Sequence, residues 1–270
     1  MKIGFILSAL AFMISCGATK LASKTTDTTE YFILHPSIRI VDFDAIGYLY
    51  ILDANDQLSK FDTSGHLLYQ VVNNNLGQVH SIDAGNPFKT MMFYRDQQTI
   101  VLYDKTLSEI QRIHLVDWGL NDVTAVCLSP NNSIWLFDGM NKVLMRMSEK
   151  GDPVFTSDPF DIIRPGAVRP NFIGDADHFL VLGETSHPVS VFDDFGNYLY
   201  SEDLAPNGLF SVSRNMVITN TNSSISRYDI SEHRMLEPIF IQENIEEKRV
   251  YLSRNKVFVT DDKGIYIMTP

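Results

Sequence analysis

Six β-type runs return along this chain at a spacing close to forty residues, and that period restricts the fold more than any other feature. With Ile51, Phe93, Leu136, Val181, Ile218 and Phe258 as equivalent positions, the separations are 42, 43, 45, 37 and 40 residues. The first copy shows the plan. Residues 48–53 (YLYILD) are followed by a turn, a second run at 58–62, an Asp-x-x-Gly turn ending at Gly65, and a third run at 66–70. A period near forty with four strands per unit is that of a propeller blade. Further short runs at 38–43, 79–83, 123–128, 172–174, 209–213 and 250–253 fall between the copies, where a blade needs the strand that lines the central channel.

The ends of the repeat region support six blades. The last copy has three strands before Pro270, and the first is preceded by a spare run, Tyr31-Phe32-Ile33-Leu34. Pairing that run into the last blade closes the ring and removes an open sheet edge. The competing architecture, an open sandwich, does not hold such a period over six copies. The expected fold is therefore all-β, a six-bladed β-propeller over residues 31–270 closed by an N-terminal strand. No long helix is predicted; residues 242–249 are polar enough for a helical turn or two, or for a connecting loop.

Ahead of the repeats, Met1-Lys2 gives a positive start and residues 3–14 are uncharged and mostly apolar. Such a stretch falls short of the about 20 residues of a transmembrane helix but suits a signal peptide. Ile14-Ser15-Cys16-Gly17 follows and resembles the bacterial lipobox, with Met13 standing where Leu is usual. The expectation is cleavage of residues 1–15, lipidation of Cys16, and a flexible tether over residues 16–30, which are rich in Thr, Ser, Lys and Ala. Several acyl chains on one residue anchor stably where a single chain is marginal. The only other cysteine, Cys127, sits in the apolar run Ala125-Val126-Cys127-Leu128 and reads as a small hydrophobe rather than a nucleophile.

Ile46-Gly47-Tyr48-Leu49-Tyr50-Ile51-Leu52-Asp53 with residues 58–65, and Asn132-Ser133-Ile134-Trp135-Leu136-Phe137-Asp138, resemble six-bladed propellers of the NHL kind, especially lipoproteins of Bacteroidota. The resemblance spans about residues 31–270, and its motif is structural. Two copies depart from it: the second has Asn86-Pro87-Phe88-Lys89 in place of the glycine turn, and the fifth is short. Lipoproteins of that group bound for the cell surface often carry an acidic run after the cysteine. Here Gly17-Ala18-Thr19-Lys20 stands instead, so the expectation is an outer-membrane protein facing the periplasm.

A net charge of −11 argues against nucleic-acid binding and against broad docking on anionic lipid. Some six-bladed propellers are calcium-dependent lactonases or esterases with carboxylate and amide ligands in the channel. The inner runs offer Asp42 and Asp83 as weak metal candidates, with Asp175 a third, and no Glu or Asn set beside them. The seven histidines form no pair at metal spacing; His80 is the one on an inner run. No Gly-x-Ser-x-Gly elbow, P-loop or dinucleotide glycine pattern occurs, and no cofactor is expected. Trp118, in a loop between copies, and Arg164 and Arg169, in the rigid segment Arg164-Pro165-Gly166-Ala167-Val168-Arg169-Pro170, are candidate partner-binding residues. Their bland alternatives are burial of Trp118 at a blade junction and pairing of the arginines with nearby acids such as Asp158 and Asp161. The favoured function is a membrane-anchored docking platform for an envelope protein complex, leaning away from an enzyme. The alternatives are a calcium-dependent propeller hydrolase and a carbohydrate- or peptide-binding lipoprotein.

Overall fold

The computed structural model describes residues 31–163, 169–184, 187–204, 210–241, 244–246 and 248–268. Residues 1–30, with Cys16, and Arg164 lie outside them. Six antiparallel sheets follow one another along the chain, each in simple strand order, and together they form a six-bladed propeller. Blade 1 starts at the inner strand Ile38–Phe43, blade 2 at Ser81–Asp83 and blade 3 at Val123–Leu128. Blades 4, 5 and 6 start at Phe172–Ala176, Phe210–Ser213 and Arg249–Ser253.

The inner strands run side by side in one direction. Ser211 and Ser213 of blade 5 donate to the carbonyls of Val250 and Leu252 of blade 6, at 2.8 and 2.9 Å, in the same order along both strands. The ring therefore has two distinct faces: an upper one, where inner strands begin, and a lower one, where they end.

The core is distributed over six seams rather than gathered at a centre. Each of the six apolar clusters joins two adjacent blades. The second strand of blade 1, Leu49–Asp53, shows how the sequence achieves this: Leu49 and Ile51 face blade 6, whereas Tyr50 and Leu52 face blade 2. A strand covered on both sides reads as a continuous apolar run rather than an alternating one.

Turns between the third and outer strands repeat one device. In blade 1 the Asp62 carboxylate accepts the Ser64 and His66 N–H groups, at 2.8 and 2.9 Å. Asp104 and Asp193 do the same in blades 2 and 4, and the Ser148 hydroxyl in blade 3. A short acceptor that satisfies the turn's own N–H groups fixes where the chain reverses.

Local departures from the sequence pattern have identifiable causes. The expected run 79–83 is a strand only over Ser81–Asp83, because Val79 donates its N–H to Asp56 (3.1 Å) and gives its carbonyl to Arg39. Blade 5 has an outer edge in two pieces, Arg234–Met235 and Ile239–Phe240, both pairing with Ser224–Asp229. Among the described residues of 242–249 there is no helix; the helical turns lie at Leu115–Trp118 and Phe160–Ile163.

Closure follows the sequence expectation. Tyr31–Leu34 pairs antiparallel with Gly264–Met268 and becomes the outer strand of blade 6. The Tyr31 hydroxyl donates to Asp261 at 2.7 Å, and Ile33 is buried against blade 1 residues. Gly264 is required by proximity: a Cβ there would lie 2.1 Å from the Ile33 carbonyl oxygen. Gly77 has positive φ but open space around it. Gly77→Ala should thus cost only left-handed backbone strain, about 1 kcal/mol, and Gly264→Ala at least twice that. Chemical denaturation of the two variants checks the difference; equal costs would mean that the closing strand does not press on Gly264.

Candidate functional site

The channel is chemically polarised. Toward its lower mouth lie Asp42, Asp83 and Asp175, near the ends of the inner strands of blades 1, 2 and 4. Two of them join neighbouring blades. The Asp42 carboxylate accepts Phe43 N–H (2.8 Å) and, from the next blade, Ala84 N–H (2.7 Å). Asp83 accepts Gly85 N–H (3.1 Å) and, again from the next blade, Leu128 N–H (2.7 Å). Each carboxylate thereby satisfies an amide where one blade's inner strand gives way to a loop.

Enclosure disfavours the charged form of these groups. Burial, and next the charge of Asp83, raise Asp42 to about 7 against the pull of its two amides. Burial and then Asp83 raise Asp175 to about 6, and burial also raises Asp83. Cys127 packs at the seam of blades 3 and 4 with its thiol pushed up by burial, as expected for a structural cysteine. Among the described residues no cluster of three or more His, Cys, Asp or Glu side chains is arranged to hold a metal.

The upper face is different. A cleft of about 730 Å3 opens between blades 6 and 1, lined by Arg39, Lys248, Arg249 and Tyr251 with Glu246, Asp261 and Asp262 among its acids. That volume is in the range of small-molecule sites. A second pocket of about 200 Å3 lies between blades 1 and 2, lined by Arg39, His80 and Arg95 with Gln78, Val79 and Asp96. Arg39 borders both. It is fixed by Asp56 (2.5 Å) and the Val79 carbonyl, while Arg249 donates to its own carbonyl at 3.1 Å. His80 packs edge-on against Phe93 and hydrogen-bonds the backbone of Asn171, just ahead of the blade 4 inner strand. Its pKa is lowered by burial first and by the Arg95 charge second.

The sequence candidates are brought together only in part: Asp42, Asp83 and Asp175 share the lower mouth, and the others stand apart. Asp42 and Asp83 stand in the lower half of the channel, and His80 at the upper mouth. Trp118 ends the helical turn Leu115–Trp118 and packs on the seam of blades 2 and 3; a Cβ on Gly151 would meet its indole nitrogen at 2.3 Å. Arg169 forms a two-pronged ion pair with Asp122 (2.9 and 2.6 Å) rather than with Asp158 or Asp161, and Asp161 pairs with Lys142. Sequence reasoning did not single out Arg39, Arg95, Lys248 or Arg249. Their shared signal is weak: each cation lies at or next to the start of an inner strand, or in the turn after a second strand, positions that ring geometry brings to one face.

Asp42 sets a pH dependence. Its folded pKa lies above its ordinary 3.8, so the stability it contributes is full below about pH 4 and lost as pH rises through 7. The protein should lose roughly 2 kcal/mol of stability between pH 5 and 8 from this group. Asp42→Asn should show a lower plateau and a shallower slope, read by denaturant unfolding at several pH values. An unchanged slope would mean that Asp42 titrates in its ordinary range.

No family model matches the chain, and no curated protein is similar to it in sequence. Solved structures do match. A virginiamycin B lyase from Staphylococcus aureus is 13% identical, covering 85% of this chain and 79% of that one, with a TM-score of 0.58. A streptogramin B lyase is 12% identical over 89% and 87% of the two chains, with a TM-score of 0.59. A catalytically inactive form of the Staphylococcus aureus lyase with quinupristin gives 13%, 86%, 84% and 0.57 in the same order. At such identities the shared property is the propeller fold.

Proposed function

We propose that this chain is a lipid-anchored propeller of the cell envelope that holds a partner on its upper face. The observation that carries this reading is the open cleft between blades 6 and 1, on the face opposite the side where the chain enters the ring. Tyr31–Leu34 runs from the lower face to the upper one, and Phe32 packs at the lower-face turn of Gly65. The described chain therefore starts from the lower side, opposite the cleft, which suits a tether over residues 16–30. With a root-mean-square reach of about 20 Å, it would leave the cleft unobstructed.

Binding is favoured over hydrolysis in the channel because Asp42 and Asp83 are both engaged with backbone N–H groups of the next blade. A calcium site there would have to compete with those bonds, leaving buried amides unsatisfied at a cost of about 1–3 kcal/mol each. The structural neighbours are lyases by name, but at 12–13% identity that activity does not transfer. Anchoring itself rests on the lipobox-like Ile14-Ser15-Cys16-Gly17.

Two results test the reading. Cys16→Ala should move the protein from the membrane fraction to the soluble periplasmic fraction, and persistence in the membrane would refute a lipid anchor at Cys16. Crosslinking in intact cells should capture a reproducible partner that the rim variant Asp262→Arg loses at equal abundance. An identical crosslinking pattern with that variant would remove the cleft from the account.

A further inference from the structure

Two arginines and a histidine line the pocket between blades 1 and 2, in a protein whose total charge is strongly negative. Arg39, His80 and Arg95 line a space of about 200 Å3, with Asp96 as the acid on its rim. Arg39 is paired with Asp56, itself a half-buried residue, and this pairing together with the Val79 carbonyl fixes where its guanidinium points. Arg95 makes no ion pair among the described residues. Burial first, then the charge of Arg95 and last that of Arg39 oppose protonation of the imidazole, while the Asn171 backbone and Asp96 favour it. Asp56 answers the charge of Arg39, and the open space among the three basic side chains leaves room for a further group of negative charge beside Arg95.

We infer that Arg39, His80 and Arg95 form an oxyanion-binding site that takes a carboxylate or phosphate group of a larger ligand. The size fits: about 200 Å3 is below the range of whole-ligand sites but ample for one such group with its first waters. Two guanidiniums supply forked donors of the kind that match carboxylate and phosphate oxygens, and one of the two is already held in place. Once protonated, His80 adds a donor at the channel mouth from the ring nitrogen not engaged by the Asn171 backbone, with Phe93 packed against the ring. Arg39 also borders the 730 Å3 cleft, so a ligand seated on it has Arg249 and Lys248 on its other side. The inference deepens the upper-face reading by naming the charge and functional group that the face accepts.

Anion binding is coupled to the protonation of His80. An oxyanion among these groups offsets the repulsion from Arg95 and Arg39, so the bound form holds the imidazole proton more tightly. The groups acting on the ring are Arg95, Asp96, Arg39 and the Asn171 backbone. Affinity should therefore rise as pH falls through the His80 range.

The test uses the full-length chain carrying Cys16→Ala, titrated with inorganic phosphate and separately with acetate at constant ionic strength set by sodium chloride. Imidazole resonances are followed by NMR across pH. The expected result is a saturable shift at His80 and a His80 pKa raised by about half a unit or more in the presence of the anion. The two anions, compared at matched pH, distinguish a phosphate-bearing ligand from a carboxylate-bearing one. Arg95→Gln should weaken binding at least tenfold, while Lys105→Gln, on the lower face, should leave it unchanged. The inference is overturned if neither anion moves His80 beyond the chloride control, or if Arg95→Gln binds as tightly as the parent. Intact anion binding with an unchanged crosslinking pattern in Asp262→Arg would remove the cleft partner and leave this site standing.

Discussion

A propeller holds together only if its first and last blades meet, and here a four-residue strand carries the chain across that seam. Tyr31–Leu34 adds to a strand that lies more than two hundred positions away, and the Tyr31 hydroxyl reaches Asp261 in the same blade. Each of the other five seams joins blades consecutive in sequence, so the entropy of closing the whole chain falls on this one seam, which Arg249 also crosses to the Arg39 carbonyl. Its fit is correspondingly tight, with Gly264 pressed against the Ile33 carbonyl and Ile33 buried between blades. Everything on the upper face depends on it, because the larger cleft lies at the seam that closure creates.

Once the ring is closed, the direction of the inner strands separates two kinds of chemistry. Near the strand ends, aspartates receive amide hydrogens from the next blade and stitch neighbouring sheets together across the lower mouth. Near the strand starts, two arginines and a histidine converge on the smaller pocket, with Asp56 paired to Arg39 and Asp96 on the rim. Long side chains add peripheral links at the lower face: Lys60 to the Lys105 carbonyl, Gln111 to that of Glu149, and Arg146 to that of Asp194. The lower half of the disc is thus largely occupied in holding itself together, and the upper half presents the openings.

How much of this could be read from sequence differed by element. The blade count, the inner strands at Ile38–Phe43 and Val123–Leu128, and the closing role of Tyr31–Leu34 all follow from the repeat of short β-type runs at a period near forty, and Val123–Leu128 also from a continuous apolar run buried on both sides. The shortened strand at Ser81–Asp83 was not legible, since it results from Arg39 and Asp56 capturing Val79 from another blade. Asp42 and Asp83 were found as channel residues, but their bonds to Ala84 and Leu128 depend on blade-to-blade register. The cationic pocket was the least visible part. Arg39, His80 and Arg95 are dispersed over more than fifty positions and become neighbours only when two blades stand side by side.

The central claim is that the face where the inner strands begin is the face that binds. Hydrogen exchange measured on the protein in its own membranes, and again after purification away from them, addresses it most directly. The account predicts slower exchange in the membrane sample at residues 78–80, 95–98 and 248–251, with the lower-face turns at 44–47 and 86–89 unchanged. Protection confined to those lower-face turns, or no difference between the samples, would contradict it.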